Sequence, residues 1–189
     1  MSDTTNAIKR YAVVDQPDGM IWSARAACSQ GPRVLDSAVD DADLSELREE
    51  ILGRMAASSG SHPSLNVGGW RTGEELFSWR SRAVRALESV VRQYVGGASY
   101  LAGWAVVNAH GSHHPRHRHA MSTVSGIYYV DPGDPPVPTI FEISTRPGEE
   151  IHVMPALGRL VLFTGDTWHR VPAYDGSEPR ITIAFDARR

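Results

Sequence analysis

Short apolar segments separated by turn residues fill the second half of the chain, and this pattern constrains the fold more than any other feature. The segments recur about every 8–12 residues, a spacing typical of all-β sandwiches, barrels and jelly rolls. We predict strands over residues 99–108, 123–130, 139–143, 150–155, 159–163, 167–172 and 180–186. The pattern favours a mainly β fold in which small sheets form a barrel or jelly roll.

Two stretches of the first half place apolar residues at helical spacing. The first, residues 41–58, has Asp41 or Asp43 as its candidate N-cap. The second, residues 73–95, ends at a pair of glycines. We expect these two helices to brace one face of the barrel.

The N-terminal residues predict an irregular arm with strands at 11–15 and 19–24. At 189 residues, the chain has the length of one domain. We expect a single domain over residues 1–189, in which residues 1–98 form the arm and helices and residues 99–189 form the β core.

The charge and cysteine content argue against several classes of protein. The chain has 19 Lys and Arg against 22 Asp and Glu, so it lacks the basic surplus typical of nucleic-acid binding. Cys28 is the only cysteine, which excludes an internal disulfide and a cysteine-only metal site. No apolar run has the length of a membrane span, and the N-terminus lacks a signal-peptide core. We expect a cytoplasmic protein with no nucleic-acid or membrane partner.

Histidine is concentrated in one segment, since five of the eight histidines lie between positions 110 and 119. Among them, His117 and His119 are two residues apart, and residues i and i+2 of a strand point to the same face. Two imidazoles on one face of a β-barrel can bind a metal together. A lone HxH pair is weak evidence, because surface loops also produce it by chance.

Two later residues strengthen the metal prediction. His169 lies in a distant predicted strand, and a third imidazole arriving from there completes a facial set of iron ligands. Arg180 shares a strand face with Thr182, and guanidinium binds carboxylate through two parallel hydrogen bonds. The competing interpretation is a half-buried histidine bonded to a carbonyl and a solvated arginine at a strand start.

From about residue 60 to residue 189 the chain resembles the iron- and 2-oxoglutarate-dependent oxygenase superfamily, and most closely a group of small bacterial hydroxylases. The order and spacing of several segments carry the resemblance. They are residues 64–70, 104–108, 111–120, 125–130, 155–163, 168–171 and 180–186. The resemblance implies a double-stranded β-helix of the jelly-roll or cupin-like kind, with Fe(II) as cofactor and 2-oxoglutarate and O2 as co-substrates.

The resemblance also implies roles for particular residues. Three histidines would hold the iron, and four residues would bind 2-oxoglutarate or line its pocket. The iron ligands would be His117, His119 and His169, and the 2-oxoglutarate residues would be Arg180, Thr182, Tyr129 and Asn108. Tyr128 and Tyr129 alternate along one strand, so only one faces the site, and we assign Tyr129 because it is in phase with Ile127.

One position departs from the superfamily pattern of His-x-Asp or His-x-Glu followed by a distal histidine. This chain has His119 at the acidic position. Three neutral imidazoles leave the iron complex one unit more positive than two imidazoles and a carboxylate do. Either three histidines suffice, or a carboxylate from elsewhere completes the site, with Glu142 and Asp166 as candidates. His113 and His114 are expected around the site rather than among the ligands.

The resemblance implies an oxygenase that hydroxylates or otherwise oxidises its substrate and releases succinate and CO2. Because a short chain leaves little room for a lid, we expect a small-molecule substrate. One alternative is a cupin-like three-histidine dioxygenase or isomerase without 2-oxoglutarate, which would not need Arg180. The other alternative is a non-enzymatic metal-binding barrel, in which Arg180 would tolerate substitution.

Overall fold

The computed structural model describes residues 31–36, 39–119 and 124–188. Within these residues it contains ten strands, two α-helices and one 3-10 turn at Leu76–Ser78. The helices are α1 (Asp41–Ala57) and α2 (Arg82–Val95). The strands are β1 (Arg33–Leu35), β2 (Trp70–Arg71), β3 (Tyr100–Asn108), β4 (His114–His117), β5 (Val124–Asp131), β6 (Thr139–Glu142), β7 (Glu150–Val153), β8 (Leu160–Phe163), β9 (His169–Val171) and β10 (Arg180–Arg188).

The strands form two antiparallel sheets. The larger sheet has the order β1-β8-β5-β10-β3-β2, and the smaller has the order β4-β9-β6-β7. β10 makes the longest pairings, with β3 on one side and β5 on the other. This arrangement confirms the predicted mainly β fold, a double-stranded β-helix with two helices against it.

The helices pack on the outer face of the larger sheet and form its main hydrophobic core. Ile51 of α1 and Leu87 of α2 are fully buried in one cluster with Ile183 and Phe185 of β10. Full burial of each such side chain contributes roughly 1.5–3 kcal/mol of transfer free energy. Helix packing therefore fixes one face of β10, which leaves the alternate residues to face the other sheet.

A second cluster fills the space between the two sheets. Ile127 and Tyr129 of β5 and Phe163 of β8 meet Phe141 of the smaller sheet there. Tyr128, one residue earlier than Tyr129, belongs instead to the helix-side core. The assignment of Tyr129 to the inner face, in phase with Ile127, therefore agrees with the structure.

The first helix begins at Asp41 as predicted but has a different N-cap, and the second helix begins later than predicted. The carboxylate of Asp40 accepts a hydrogen bond from the Asp43 N–H at 2.8 Å, so Asp40 is the N-cap of α1 and the prediction of Asp41 or Asp43 is wrong. The second helix starts at Arg82 rather than at residue 73, because Ser81 accepts from the Val84 N–H at 3.3 Å and caps it there.

The seven strands predicted from residue 99 onward are all present, with ends that differ by a few residues. Three short strands, β1, β2 and β4, were not predicted as separate elements. The strands predicted at 11–15 and 19–24 lie outside the described residues. Neither helix in the described part of the chain has the length and apolar composition needed to cross a membrane.

Candidate metal and 2-oxoglutarate site

Three histidines converge on the side of the smaller sheet that faces β10. His117 is the last residue of β4 and lies directly opposite His169, the first residue of β9. Their ring centroids are 4.1 Å apart, and the His119 ring is 5.2 Å from His117 and 5.3 Å from His169. One ring nitrogen from each histidine lies within 4.8 Å of the other two.

His119 reaches this cluster from outside a strand. The prediction placed both histidines of the HxH pair in one strand, but β4 ends at His117. The backbone N–H of His119 donates instead to the carbonyl of Gly165 at 2.7 Å. This hydrogen bond joins the segment that carries His119 to the loop that precedes His169.

The hydrogen bonds of the three rings settle which nitrogen is available to a metal. The Nδ1 atoms of His117 and His169 lie 2.8 Å and 3.0 Å from the backbone carbonyls of Pro115 and Thr167. A carbonyl oxygen only accepts, so each Nδ1 must carry the proton and each Nε2 keeps its lone pair. The Nδ1 of His119 lies 3.0 Å from a carboxylate oxygen of Asp186, which imposes the same tautomer.

Burial favours the neutral form of His117 and His169. It lowers the pKa of the His169 imidazole to about 3, and it also lowers the pKa of His117, with neighbouring histidines adding to both shifts. A neutral imidazole with a free Nε2 is the form that binds a metal. Imidazole suits iron as well as zinc, copper and nickel, so the donor set fits the Fe(II) that the resemblance implies.

Aromatic side chains wall the cluster. The rings of Phe163 and Phe141 lie 4.7 Å and 5.6 Å from the ring of His169. Trp104 of β3 lies nearly parallel to His119, with centroids 6.0 Å apart. These apolar surfaces lower the local polarity and strengthen electrostatic interactions within the site.

A buried arginine lies on the face of β10 that is turned towards the smaller sheet. Arg180 is 2% exposed, and its Nε makes no hydrogen bond to any residue that the structure describes. Burial lowers the pKa of this guanidinium, and the interactions that oppose the shift come from Tyr129 and Tyr174 rather than from a carboxylate. A buried cation without an anion is unfavourable, so this position fits the carboxylate of a bound ligand.

The other residues assigned to 2-oxoglutarate surround Arg180. Asn108 lies directly opposite Arg180 on β3, and Tyr129 lies directly opposite Thr182 on β5. The Tyr129 hydroxyl is 2.7 Å from the hydroxyl of Thr139. The Oδ1 atom of Asn108 is buried without a hydrogen-bond partner among the described residues. The structure thus brings all four predicted residues together.

Neither carboxylate proposed as a substitute ligand joins the histidines. Within the described residues, the metal-competent group consists of His117, His119 and His169. Both carboxylate oxygens of Glu142 bond to the Arg116 guanidinium, at 2.5 Å and 2.7 Å, which lowers the Glu142 pKa. Asp166 is exposed on the loop before β9.

The sequence did not predict a carboxylate that contacts the histidine cluster, or the hydroxyl that bonds to that carboxylate. Asp186 hydrogen-bonds to His119, and Ser125 donates to Asp186 at 2.6 Å. Strand alternation could have identified Asp186, since it continues the face of Arg180 and Thr182 along β10. Alternation also places Ser125 on the inner face of β5, in phase with Ile127 and Tyr129, but only the cross-strand register shows that it lies opposite Asp186.

His114 was expected around the site, and the structure stacks it on a ligand candidate. Its ring lies 4.1 Å from that of His117 with an angle of 22° between the planes. His114 pairs with Val171 and His117 with His169, so β4 contains one extra residue between these pairs. This β-bulge turns His114 to the side of His117, which simple alternation would not predict.

A second buried arginine, Arg71 of β2, lies beyond Trp104. Its guanidinium carbon is 4.6 Å from the Trp104 ring centroid. Its Nη1 donates to the backbone carbonyl of Thr72 at 3.1 Å, and its Nη2 lies 3.5 Å from Glu74. Unlike Arg180, Arg71 therefore has an acidic partner.

Comparisons with known proteins agree with this architecture. A family model described as "Putative 2OG-Fe(II) oxygenase" matches residues 102–186, which hold all the residues assigned to the site. No curated protein matches the chain by sequence.

Solved structures share the fold at low sequence identity. A prolyl hydroxylase from Trichoplax adhaerens, solved with a hypoxia inducible factor peptide fragment, has a TM-score of 0.71 and 15% identity, over 87% of this chain and 86% of its own. A Pseudomonas putida prolyl-4-hydroxylase has a TM-score of 0.67 and 17% identity, over 88% of this chain and 99% of its own.

An enzyme with a different activity also shares the fold. The alpha ketoglutarate dependent epimerase SnoN from nogalamycin biosynthesis has a TM-score of 0.68 and 13% identity, over 87% of this chain and 82% of its own. SnoN has also been solved with Fe3+, alpha ketoglutarate and nogalamycin RO. The family model agrees with the resemblance to the 2-oxoglutarate- and Fe(II)-dependent oxygenases over residues 102–186, and the solved structures agree with the predicted fold.

Proposed function

We propose that the protein is an Fe(II)- and 2-oxoglutarate-dependent oxygenase that hydroxylates or otherwise oxidises a small molecule. His117, His119 and His169 hold the iron through Nε2. The observation that carries the proposal is the pairing of this histidine cluster with Arg180, a buried cation that has no carboxylate partner among the described residues. A metal site alone would fit many proteins, whereas this combination suits a dicarboxylate co-substrate.

Arg180 holds the carboxylate of 2-oxoglutarate that is far from the iron. A buried guanidinium gives strong, geometrically specific hydrogen bonds to a carboxylate. Thr182 on the same face of β10 adds a hydroxyl donor, and Tyr129 across from it orients the guanidinium through their contact. Asn108, opposite Arg180, offers its amide group to the pocket.

When bound, the iron and 2-oxoglutarate supply the oxidising chemistry, in which O2 is consumed and succinate and CO2 are released. The protein holds the ligands and excludes water. The carbonyls of Pro115 and Thr167 keep two imidazoles in the tautomer that presents Nε2. Phe163 and Trp104 cover the cluster with apolar surface, so competing reactions with water are suppressed.

A small-molecule substrate and a hydroxylation are proposed together. The solved structures that share the fold act on different classes of compound, since one prolyl hydroxylase holds a peptide fragment and SnoN holds nogalamycin RO. The aromatic walls around the histidines favour a compact substrate group. Carbon hydroxylation needs only a substrate C–H held near the iron.

The alternative is a three-histidine metalloenzyme that does not use 2-oxoglutarate. Arg180 favours the first function, since an enzyme without an anionic co-substrate gains nothing from a buried guanidinium that has no carboxylate partner among the described residues.

The test is iron-dependent conversion of 2-oxoglutarate to succinate, measured for wild type, His169→Ala and Arg180→Met. We expect turnover in wild type, none in His169→Ala, and strongly weakened binding of 2-oxoglutarate in Arg180→Met. Iron-loaded wild type that neither binds nor consumes 2-oxoglutarate would overturn the proposal and favour the alternative.

A further inference from the structure

His119 differs from the other two histidines in the partner of its Nδ1. His117 and His169 face backbone carbonyls, whereas His119 faces the carboxylate of Asp186. The Nδ1 atom lies 2.9 Å from Oδ1 and 3.0 Å from Oδ2 of that carboxylate. Both side chains are largely shielded, at 16% and 17% exposed. This is the one charged partner of the cluster among the described residues.

The framework of the larger sheet holds Asp186 in this position. Asp186 lies on β10 between Ser125 of β5 and Ala102 of β3. Ser125 is 1% exposed, and its hydroxyl donates to Oδ1 at 2.6 Å. The charge of Asp186 also interacts favourably with Arg71. Several neighbours therefore fix the carboxylate before any metal binds.

The carboxylate of Asp186 lies where it can replace the negative charge that the ligand set lacks. His119 stands where the superfamily pattern has an acidic ligand, so the three imidazoles contribute no negative charge. Asp186 restores one negative charge at the distance of one imidazole ring. A carboxylate bonded to the far nitrogen of a ligating histidine fixes the ring and makes it a better donor.

We propose that Asp186 is a positioning residue that supplies, through His119, the negative charge that a directly bound carboxylate would give the iron. This inference rests on the proposed function. It predicts that Asp186 matters for metal affinity only as long as residue 119 is a histidine. When residue 119 is itself a carboxylate, the charge of Asp186 becomes redundant or repulsive.

A double-mutant cycle tests this dependence. Apoprotein is titrated anaerobically with Co(II), and affinity is measured by calorimetry and by the visible spectrum, for wild type, Asp186→Asn, His119→Asp and the double variant. We expect Asp186→Asn alone to weaken Co(II) binding about 10- to 100-fold. In the His119→Asp background the same change should leave affinity unchanged or improve it.

Two further variants separate a metal effect from a structural one. Glu142→Gln removes a different carboxylate that bonds to Arg116 and should leave Co(II) affinity at the wild-type value. Ser125→Ala keeps the charge of Asp186 but removes its donor, so it should weaken Co(II) less than Asp186→Asn does. Ser125→Ala also keeps the test informative if Asp186→Asn does not fold.

Two results would overturn the inference. One is an equal loss of Co(II) affinity in both backgrounds, and the other is unchanged affinity with a lowered melting temperature of the apoprotein. Wild type that binds no Co(II) at all would instead contradict the proposed function. The two failures are therefore distinguishable.

Discussion

Arg180 lies over the ring of Tyr129, with its guanidinium carbon 5.4 Å from the ring centroid. The two residues are 2% and 0% exposed. An aromatic face attracts a cation but does not neutralise it, and the guanidinium has no carboxylate partner in the part of the chain that the structure describes. We therefore expect Arg180 to affect both the stability of the apoprotein and its affinity for 2-oxoglutarate.

Replacing Arg180 with methionine should stabilise the apoprotein while it removes co-substrate binding. Methionine fills similar space without a buried charge, so the free energy of unfolding should rise by roughly 1–3 kcal/mol. Affinity for 2-oxoglutarate should fall on the order of 100-fold or more, because its carboxylate loses a charged partner. Urea unfolding and equilibrium dialysis measure the two effects.

The matched control is Arg118→Met. Arg118 is exposed, with its guanidinium carbon 5.0 Å from the Trp168 ring centroid. Its replacement should change neither the unfolding free energy beyond about 0.5 kcal/mol nor 2-oxoglutarate affinity. A less stable Arg180→Met apoprotein with normal 2-oxoglutarate affinity would contradict the assigned role of Arg180.

Two adjacent tyrosines provide a second matched comparison. Tyr129→Phe removes the hydroxyl that contacts Thr139 and faces Arg180, and it should weaken 2-oxoglutarate binding about 10-fold. Tyr128 lies in the helix-side core, and its hydroxyl is buried without a hydrogen-bond partner among the described residues. Tyr128→Phe should therefore leave 2-oxoglutarate affinity unchanged and should not destabilise the protein. Equal effects of both changes on 2-oxoglutarate binding would refute the assignment of Tyr129, rather than Tyr128, to the site.

Metal binding should distinguish His169 from His114. His169→Ala removes a ligand and should abolish stoichiometric iron binding, as measured by metal analysis after anaerobic loading and desalting. His114 stacks on His117 but does not belong to the metal-competent group, so His114→Ala should keep one iron per chain. Full iron content in His169→Ala would remove this histidine from the ligand set.

The sequence predicted the faces of the central strands correctly. Alternation along β10 placed Arg180 and Thr182 on the face of the strand that points away from the helices. Alternation along β5 placed Tyr129, and not Tyr128, on the face towards the site. These predictions hold because both strands lie in the middle of the larger sheet, where burial on each face enforces a period of two. The third predicted histidine, His169, also reaches the cluster.

Other features could not be predicted from the spacing of residues along the sequence. His114 faces the cluster because of a β-bulge, and the sequence gives no sign of an inserted residue. His119 is held by a backbone contact to Gly165, which depends on how two loops meet. The start of α2 at Arg82 was missed because the apolar spacing continues upstream of its Ser81 cap. Each error arises where tertiary contacts override a local pattern.

The most direct measurement is an anaerobic titration of the iron(II)-loaded protein with 2-oxoglutarate, followed in the visible spectrum. Chelation of iron(II) by the 2-oxo acid gives a weak metal-to-ligand charge-transfer band. We predict that the band appears in wild type and saturates at one equivalent, and that Arg180→Met needs far higher concentrations. Stoichiometric iron without any band would contradict the assignment of this site to a 2-oxoglutarate-dependent oxygenase.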